Sequence, residues 1–361
     1  MKICFVVEDI YPALTDGRVK GNMNGRAIHL KHLGEALLKL GHDVSYITKD
    51  YGQNTRENIN NFCVYKMYSE KEGLPGLKFF MVKVPKLLKA FSSVDAELYI
   101  FMCPSPFVGI IAWFCAKKNK KFIYYGGSDM DFNGNGWKIN ARDYFLFKYG
   151  LKKANMVLCQ NKYQAETLLK FYNIKGNILH NPMPKAMYSY NPKSYAIWVA
   201  NYRALKRPEI FIELARRVKI KFMMVGGRTS ACAIKEFENI KMNALNAGID
   251  VKGALDFKKT DELIAGSSLL VNTSEFEGIS NTFLQAWRRG IPVVSFVDPD
   301  GMIEKEHLGK TVKNIDELVI AVKEISKGIE KEKSLNIKKF FDTTFSSDAI
   351  CEKFSNYLKQ I

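Results

Sequence analysis

Short apolar runs alternate with stretches of helical period along most of this chain. Lys2 to Glu8, Asp43 to Thr48, Phe62 to Tyr68, Leu98 to Cys103, Lys121 to Tyr125 and Met156 to Gln160 read as buried strands, with helical stretches between them. After the first strand comes a glycine-containing loop over residues 9–24. Gly25 then precedes a helix in which Ile28, Leu30, Leu33, Leu37 and Leu40 repeat at helical spacing, and Gly41 closes it. This βαβ opening places its loop at the carboxyl end of the first strand, where open α/β sheets bind ligands. The run Gly21-Asn-Met-Asn-Gly25 lacks the spacing of a dinucleotide fingerprint. His29 and His32 are expected on the polar side of the helix, as a solvated or hydrogen-bonded pair without a third metal ligand.

The alternation restarts beyond residue 180. Asn177-Ile-Leu-His-Asn-Pro-Met-Pro184 reads as a strand running into a proline-rich linker. Tyr195 to Ala200 is a strand, residues 201–207 form a basic loop, and Pro208 suits the first position of a helix carrying Phe211, Leu214, Ala215 and Val218. Lys221 to Val225 is a strand ending in Gly226 and Gly227, which let backbone approach a ligand closely. Leu269 to Val271 is a strand whose loop enters a helix with Phe283, Leu284 and Trp287 apolar. Gly290 stops that helix, and Pro292 to Phe296 begins the next strand. Asp316 to Lys327 is amphipathic and Ser346 to Leu358 is helical. The expected fold class is α/β with parallel sheets.

Composition removes several alternatives. An apolar content of 47% with 25% charged residues is that of a globular protein with full cores. The chain enters a strand directly from Met1, so no signal peptide is expected. The uncharged stretch from Leu98 to Ala116 is divided by Pro104, Ser105 and Pro106 into a short strand and a short helix, each too brief to cross a bilayer. Seven cysteines are scattered without metal-ligand spacing, which suits reduced thiols in a cytoplasmic protein. Residues 1–180 hold 26 Lys and Arg against 15 Asp and Glu, while residues 181–361 hold 28 against 22, so the excess behind the net charge of +17 is concentrated in the first half. No zinc-finger or RNP-like motif accompanies it, so nucleic acid is not the expected partner. The segment 76–91 intersperses Lys78, Lys83, Lys86 and Lys89 among apolar residues. It reads either as a surface helix with solvated lysines, interrupted at Pro85, or as a segment lying on an anionic membrane surface.

Three loops carry candidate chemistry, and each also has an ordinary reading. After the strand at 269–271, Ser274, Glu277, Asn281 and Gln285 crowd a helix N-terminus, either as a polar cap or as a site for an oxygen-rich ligand. Arg203 and Lys206 lie between a strand end and a helix N-terminus, a place where cations meet phosphate, or simply form a solvated basic loop. In Tyr125-Gly-Gly-Ser-Asp-Met-Asp131, Ser128 or Asp129 caps the next turn, or else a carboxylate faces a substrate.

The pattern Ser274-x-x-Glu277-Gly278-x-x-Asn281-x-x-x-Gln285-Ala-x-x-x-Gly290-x-Pro292-Val-Val resembles the donor-site signature of the retaining family-4 glycosyltransferases. The resemblance implies a GT-B fold, two Rossmann-like parallel-sheet domains facing each other across a cleft. It places an acceptor-side domain at 1–182 and a nucleotide-sugar-binding domain at 193–340. Residues 341–361 would include a C-terminal helix packing back on the first domain. It implies transfer of a sugar from a nucleotide diphosphate to a hydroxyl with retained anomeric configuration, independent of metal. No cofactor is expected, since the nucleotide sugar is itself a substrate. By the same resemblance Glu277 contacts the transferred sugar, with Ser274, Gly278, Ile279, Ser280 and Asn281 around it. Gln285 takes the place of a ribose-binding glutamate, a departure that removes a charge but keeps a donor and an acceptor. Lys206 and Arg203 would bind the diphosphate, Gly227 and Gly25 would approach the donor, and Asp129, rather than Asp131, would lie near the acceptor hydroxyl. A glycan or lipid-linked acceptor of bacterial surface polysaccharide synthesis, handled in the cytoplasm or at the inner face of the cell membrane, follows at the level of the family. A catalytically silent sugar-nucleotide-binding protein and a GT-B nucleotide-sugar epimerase are the alternatives.

Overall fold

The computed structural model describes residues 1–19, 25–74, 77–134, 140–187, 195–229 and 231–361. Residues 20–24 of the expected first loop, Gly76 of the basic segment and part of the linker lie outside them. Contacts divide the chain into one unit of Met1–Pro184 with Ser347–Ile361 and a second of Lys185–Ser346.

The first unit is built on eight strands: β1 (Lys2–Val6), β2 (Asp43–Thr48), β3 (Arg56–Ile59), β4 (Phe62–Lys66), β5 (Leu98–Met102), β6 (Lys121–Tyr125), β7 (Met156–Cys159) and β8 (Asn177–Ile178). Their order is β3-β4-β2-β1-β5-β6-β7-β8, and every pairing is parallel except β3 with β4. Strand β1 explains the unbroken apolar runs. Ile3 and Phe5 enter one core, with the helix Gly25–Lys39, while Cys4 and Val6 enter the other, with the helices Val84–Val94 and Phe107–Lys117. A strand covered on both faces has no polar side to show. The uncharged stretch from Leu98 divides as expected into β5 and a separate helix, and no helix among the described residues is long and apolar enough to cross a membrane.

Two features of this unit depart from the sequence reading. His29 is buried, and His32 Nδ1 lies 3.2 Å from Glu35. The helix is covered on more than one stripe because the C-terminal helix Ser347–Leu358 packs against it. Strand β3 was not expected, since Arg-Glu-Asn-Ile has no apolar alternation. It forms because Asn60 and Asn61 both adopt positive φ (49° and 68°), the geometry of a tight antiparallel hairpin, and its charged residues suit a sheet edge.

The C-terminal helix adds Ile350, Cys351, Phe354 and Leu358 to the core on the β1 side, and the Tyr357 hydroxyl donates to the Ile178 carbonyl at 3.0 Å.

The second unit has six parallel strands: β9 (Tyr195–Val199), β10 (Lys221–Val225), β11 (Asp250–Gly253), β12 (Leu269–Asn272), β13 (Val293–Ser295) and β14 (Gly309–Thr311), ordered β11-β10-β9-β12-β13-β14. The order reverses between β9 and β12, whose carboxyl ends are therefore neighbours. Such a reversal opens the crevice where sheets of this kind hold ligands. One face is covered by Phe211, Leu214, Leu318 and Val322. On the other, Trp287 is fully buried and stacks on Phe345 at 5.8 Å between ring centres. Strand β14 escaped the sequence reading because Gly-Lys-Thr carries no apolar side chain.

Candidate active site

The loops leaving β9 and β12 are tied together before any ligand is considered. The buried Trp198 indole N–H donates to Thr273 Oγ1 at 2.9 Å, and that hydroxyl donates onward to the Lys206 carbonyl at 2.6 Å. Arg207 reaches across from the same loop. Its Nε donates to the Thr273 carbonyl at 2.7 Å and its Nη2 to the Ser274 carbonyl at 3.3 Å, with the guanidinium 4.7 Å over the Phe296 ring. The backbone follows, with Glu275 N–H donating to the Leu205 carbonyl at 3.0 Å. Each bond to a charged donor is worth about 1.5–3 kcal/mol.

That lacing fixes Lys206 against Glu277. Lys206 Nζ donates to Glu277 Oε2, both side chains retaining 19% exposure, and Ser274 Oγ donates to the same oxygen at 3.2 Å. No donor reaches Glu277 Oε1 among the described residues. Lys206 ends a short 3-10 turn (Ala204–Lys206) within what the sequence suggested was an open loop. Arg203 caps that turn from an extended backbone, its side chain exposed.

Ser280 caps the helix Asn281–Trp287 through its hydroxyl, which accepts from Phe283 N–H at 3.2 Å. Gly278, Ile279 and Asn281 beside it are half-buried. Gln285 is only 3% exposed, and its Nε2 has no hydrogen-bond partner among the described residues. A buried amide donor left open is costly, so it marks a place where an acceptor is wanted. Behind the loop of β9, Gly226 lies so close to it that a Cβ there would stand 1.8 Å from the Ala200 carbonyl oxygen. At Gly227 a Cβ would stand 2.8 Å from Ala254. Gly226 and Gly227 therefore let the end of β10 pack closely on the neighbouring loops.

In the first unit, Asp129 and Asp131 separate cleanly. Asp131 is buried, accepts from Gly127 N–H at 2.6 Å and from the Tyr124 hydroxyl at 3.2 Å, and burial pushes its carboxyl up to about 6. It organises the loop. Asp129 is half-buried, and Asn161 Nδ2 and Gln164 Nε2 donate to its Oδ1 at 2.8 and 3.0 Å. Its Oδ2 receives no donor among the described residues. Gly25 begins its helix beside Arg26, whose Nη2 donates to Asp9 at 2.6 Å.

Residues 193–327 match the family described as glycosyl transferases group 1, and residues 23–185 match glycosyltransferase family 4. The chain belongs to the family-4 glycosyltransferases. No curated protein matches the sequence. Among solved structures, sucrose-phosphate synthase from Thermosynechococcus elongatus is similar at 16% identity, with 100% of this chain and 98% of that one covered and a TM-score of 0.74. Anabaena HepE, solved with UDP and glucose, is similar at 13% identity, with all of both chains covered and a TM-score of 0.71. A lipopolysaccharide outer core galactosyltransferase, WaaB, is similar at 15% identity over 99% of each chain, with a TM-score of 0.68. These likenesses establish the GT-B fold of this glycosyltransferase.

Sequence reasoning gave Arg207 and Thr273 no role of their own. Arg207 has a positive φ (46°) immediately before Pro208, an unfavourable place for a non-glycine residue that its bonds to the facing loop stabilise. The signal was present in the Arg-Pro pair, but nothing in one sequence says which loop the guanidinium would meet. Replacing Arg207 with Ala should lower the melting temperature by roughly 5–10 °C, as two charge-assisted bonds disappear. Arg207→Lys should not restore it, because an ammonium lacks the fork. Calorimetry showing an unchanged transition for R207A would mean the lacing is idle.

Proposed function

We propose that this glycosyltransferase moves a sugar from a nucleoside-diphosphate donor to an acceptor hydroxyl with retention of the anomeric configuration. The observation that carries the proposal is the Lys206–Glu277 pair, held where β9 and β12 end side by side at the sheet's reversal. In the donor complex the diphosphate takes over Lys206 as its cation, and Glu277 turns its oxygens to the sugar hydroxyls. Arg203 adds a second cation from the same turn, and the segment from Gly278 to Asn281 surrounds the sugar. The open Gln285 amide supports a contact with a nucleotide hydroxyl, since it can donate where a carboxylate could only accept.

Chemistry follows from charge. As the glycosidic bond to the diphosphate breaks, negative charge grows on the leaving oxygen and positive character on the anomeric carbon. A fixed cation on one side and a fixed carboxylate on the other stabilise that separation without reorganising. The acceptor hydroxyl attacks on the face from which the diphosphate leaves and yields its proton there. Asp129, oriented by Asn161 and Gln164, is assigned to the acceptor. The proposal needs no metal, because Lys206 and Arg203 neutralise the leaving group, so turnover should persist in a chelator.

HepE was solved with UDP and glucose, and WaaB is a galactosyltransferase of lipopolysaccharide outer core. The first supports a UDP-hexose donor, and the second a surface-glycan or lipid-linked acceptor, handled in the cytoplasm. A panel of nucleotide sugars tested by thermal shift should single out one donor. At about 100 times its dissociation constant it would add roughly 2.7 kcal/mol. NMR of the anomeric proton in the product then reads the configuration. An inverted product, or the absence of a shift with every donor, would overturn the reading.

A further inference from the structure

An apolar groove of about 440 Å³ lies on the first unit, between the helices Val84–Val94, Phe107–Lys117 and Ala141–Lys153. Val84, Leu88, Ile110, Trp113, Phe145 and Leu146 line it. Its size is that of a small-molecule site, roughly 300–1,000 Å³. The second and third helices touch backbone to backbone, since a Cβ on Gly109 would stand 2.5 Å from the Leu146 carbonyl oxygen and one on Gly150 2.5 Å from Val108. That crossing closes one side of the groove and leaves the other to solvent.

Around the opening, large apolar side chains face water. Met81 is 69% exposed and Phe145 68%, with Leu77, Phe80 and Trp113 also exposed. Met81 and Phe80 sit on a widened π turn, Phe79–Lys83, that runs straight into the Val84–Val94 helix. Pro85 requires such a turn, having no N–H to give and a ring that collides with the carbonyl of a tighter one. The interruption read from the sequence thus falls where the π turn meets the helix.

Charge completes the picture. The segment 77–94 carries Lys78, Lys83, Lys86 and Lys89 and no carboxylate, and the Ala141–Lys153 helix carries Arg142, Lys148, Lys152 and Lys153 against Asp143 alone. Lys78 and Lys83 turn back to Glu70 and Lys86 to Glu72. Lys89, Lys152 and Lys153 are exposed and make no ion pair among the described residues. Arg142 lies 5.0 Å over the Phe79 ring and Lys117 5.2 Å over Trp113, so cations stand directly beside the apolar rim.

We propose that this face docks on an anionic lipid bilayer, with Phe80, Met81 and Phe145 entering the acyl region, an acyl chain filling the groove beside Trp113, and the surrounding lysines meeting lipid phosphates. A second copy of the chain is the poorer occupant, because the same face opposed to itself would bring like charges together. The surface goes beyond the transferase chemistry and is tested without it. The full chain should float with vesicles of mixed phosphatidylglycerol and phosphatidylcholine, less so at high salt, and not with pure phosphatidylcholine. Met81→Ser combined with Phe145→Ser should cut the partition about tenfold or more, consistent with two lost apolar anchors, with the melting transition unchanged. Brominated acyl chains should quench fluorescence in a way that Trp113→Phe removes. Equal flotation of the double variant, no flotation at all, or quenching that survives Trp113→Phe overturns the docking face. Self-association lost in the double variant would overturn it too, assigning the face to a second copy. Donor turnover without vesicle binding sinks this surface alone, while vesicle binding without donor turnover sinks the transferase reading alone.

Discussion

Lys206→Ala should lower kcat by about 10²–10³ while leaving the protein folded, the loss typical of removing one group that meets charge developing in a transition state. The ammonium ends a turn whose position is set by backbone and by Arg207, so its removal does not unlace the two loops. What it removes is the lysine that meets Glu277 among the described residues. The unpaired carboxylate keeps its Ser274 bond and some access to water, so stability should fall by about 1 kcal/mol or less, as for partly exposed pairs. Steady-state kinetics with donor and acceptor, beside a melting curve, separate the two effects. A kcat within fivefold of the parent would remove Lys206 from the chemistry.

Glu277→Gln tests the other half of the pair and should split binding from turnover. The amide oxygen still accepts from Lys206 and Ser274, but the charge that competes with a diphosphate for Lys206 is gone. Nucleoside diphosphate should therefore bind as tightly as before or more so, whereas sugar transfer falls by about 10² or more because the carboxylate no longer balances the anomeric carbon. Calorimetric titration with the diphosphate product and turnover measured on the same sample give both numbers. Parallel losses of affinity and rate would point instead to a general collapse of the loop.

The strands legible in the sequence were those buried on both faces. β1, β5 and β6 have no polar side to blur the pattern, and β9 and β12 were equally plain. Strands β3 and β14 were opaque because their pairing is imposed by a turn or a neighbour rather than by apolar side chains. At the site, Glu277 and Lys206 were readable separately from motif and spacing. Their contact was not, since 71 residues divide them and only the sheet order makes them neighbours. Asp129 was preferred over Asp131 in sequence only through the family resemblance. Burial and bonds from Tyr124 and Gly127 on one side, and the amides of Asn161 and Gln164 on the other, tell them apart. His29 was misplaced because a helix covered by two partners has a wider dry face than one stripe suggests.

The helix Ser347–Leu358 seals the sheet made by the opening residues of the chain, with the whole second unit intervening in between. During synthesis, Ala27, Leu30 and Leu37 are therefore made hundreds of residues before the side chains that cover them. The earlier unit must wait, partly open, for the later one to be translated, and folding of the two cannot proceed as a simple succession from one end.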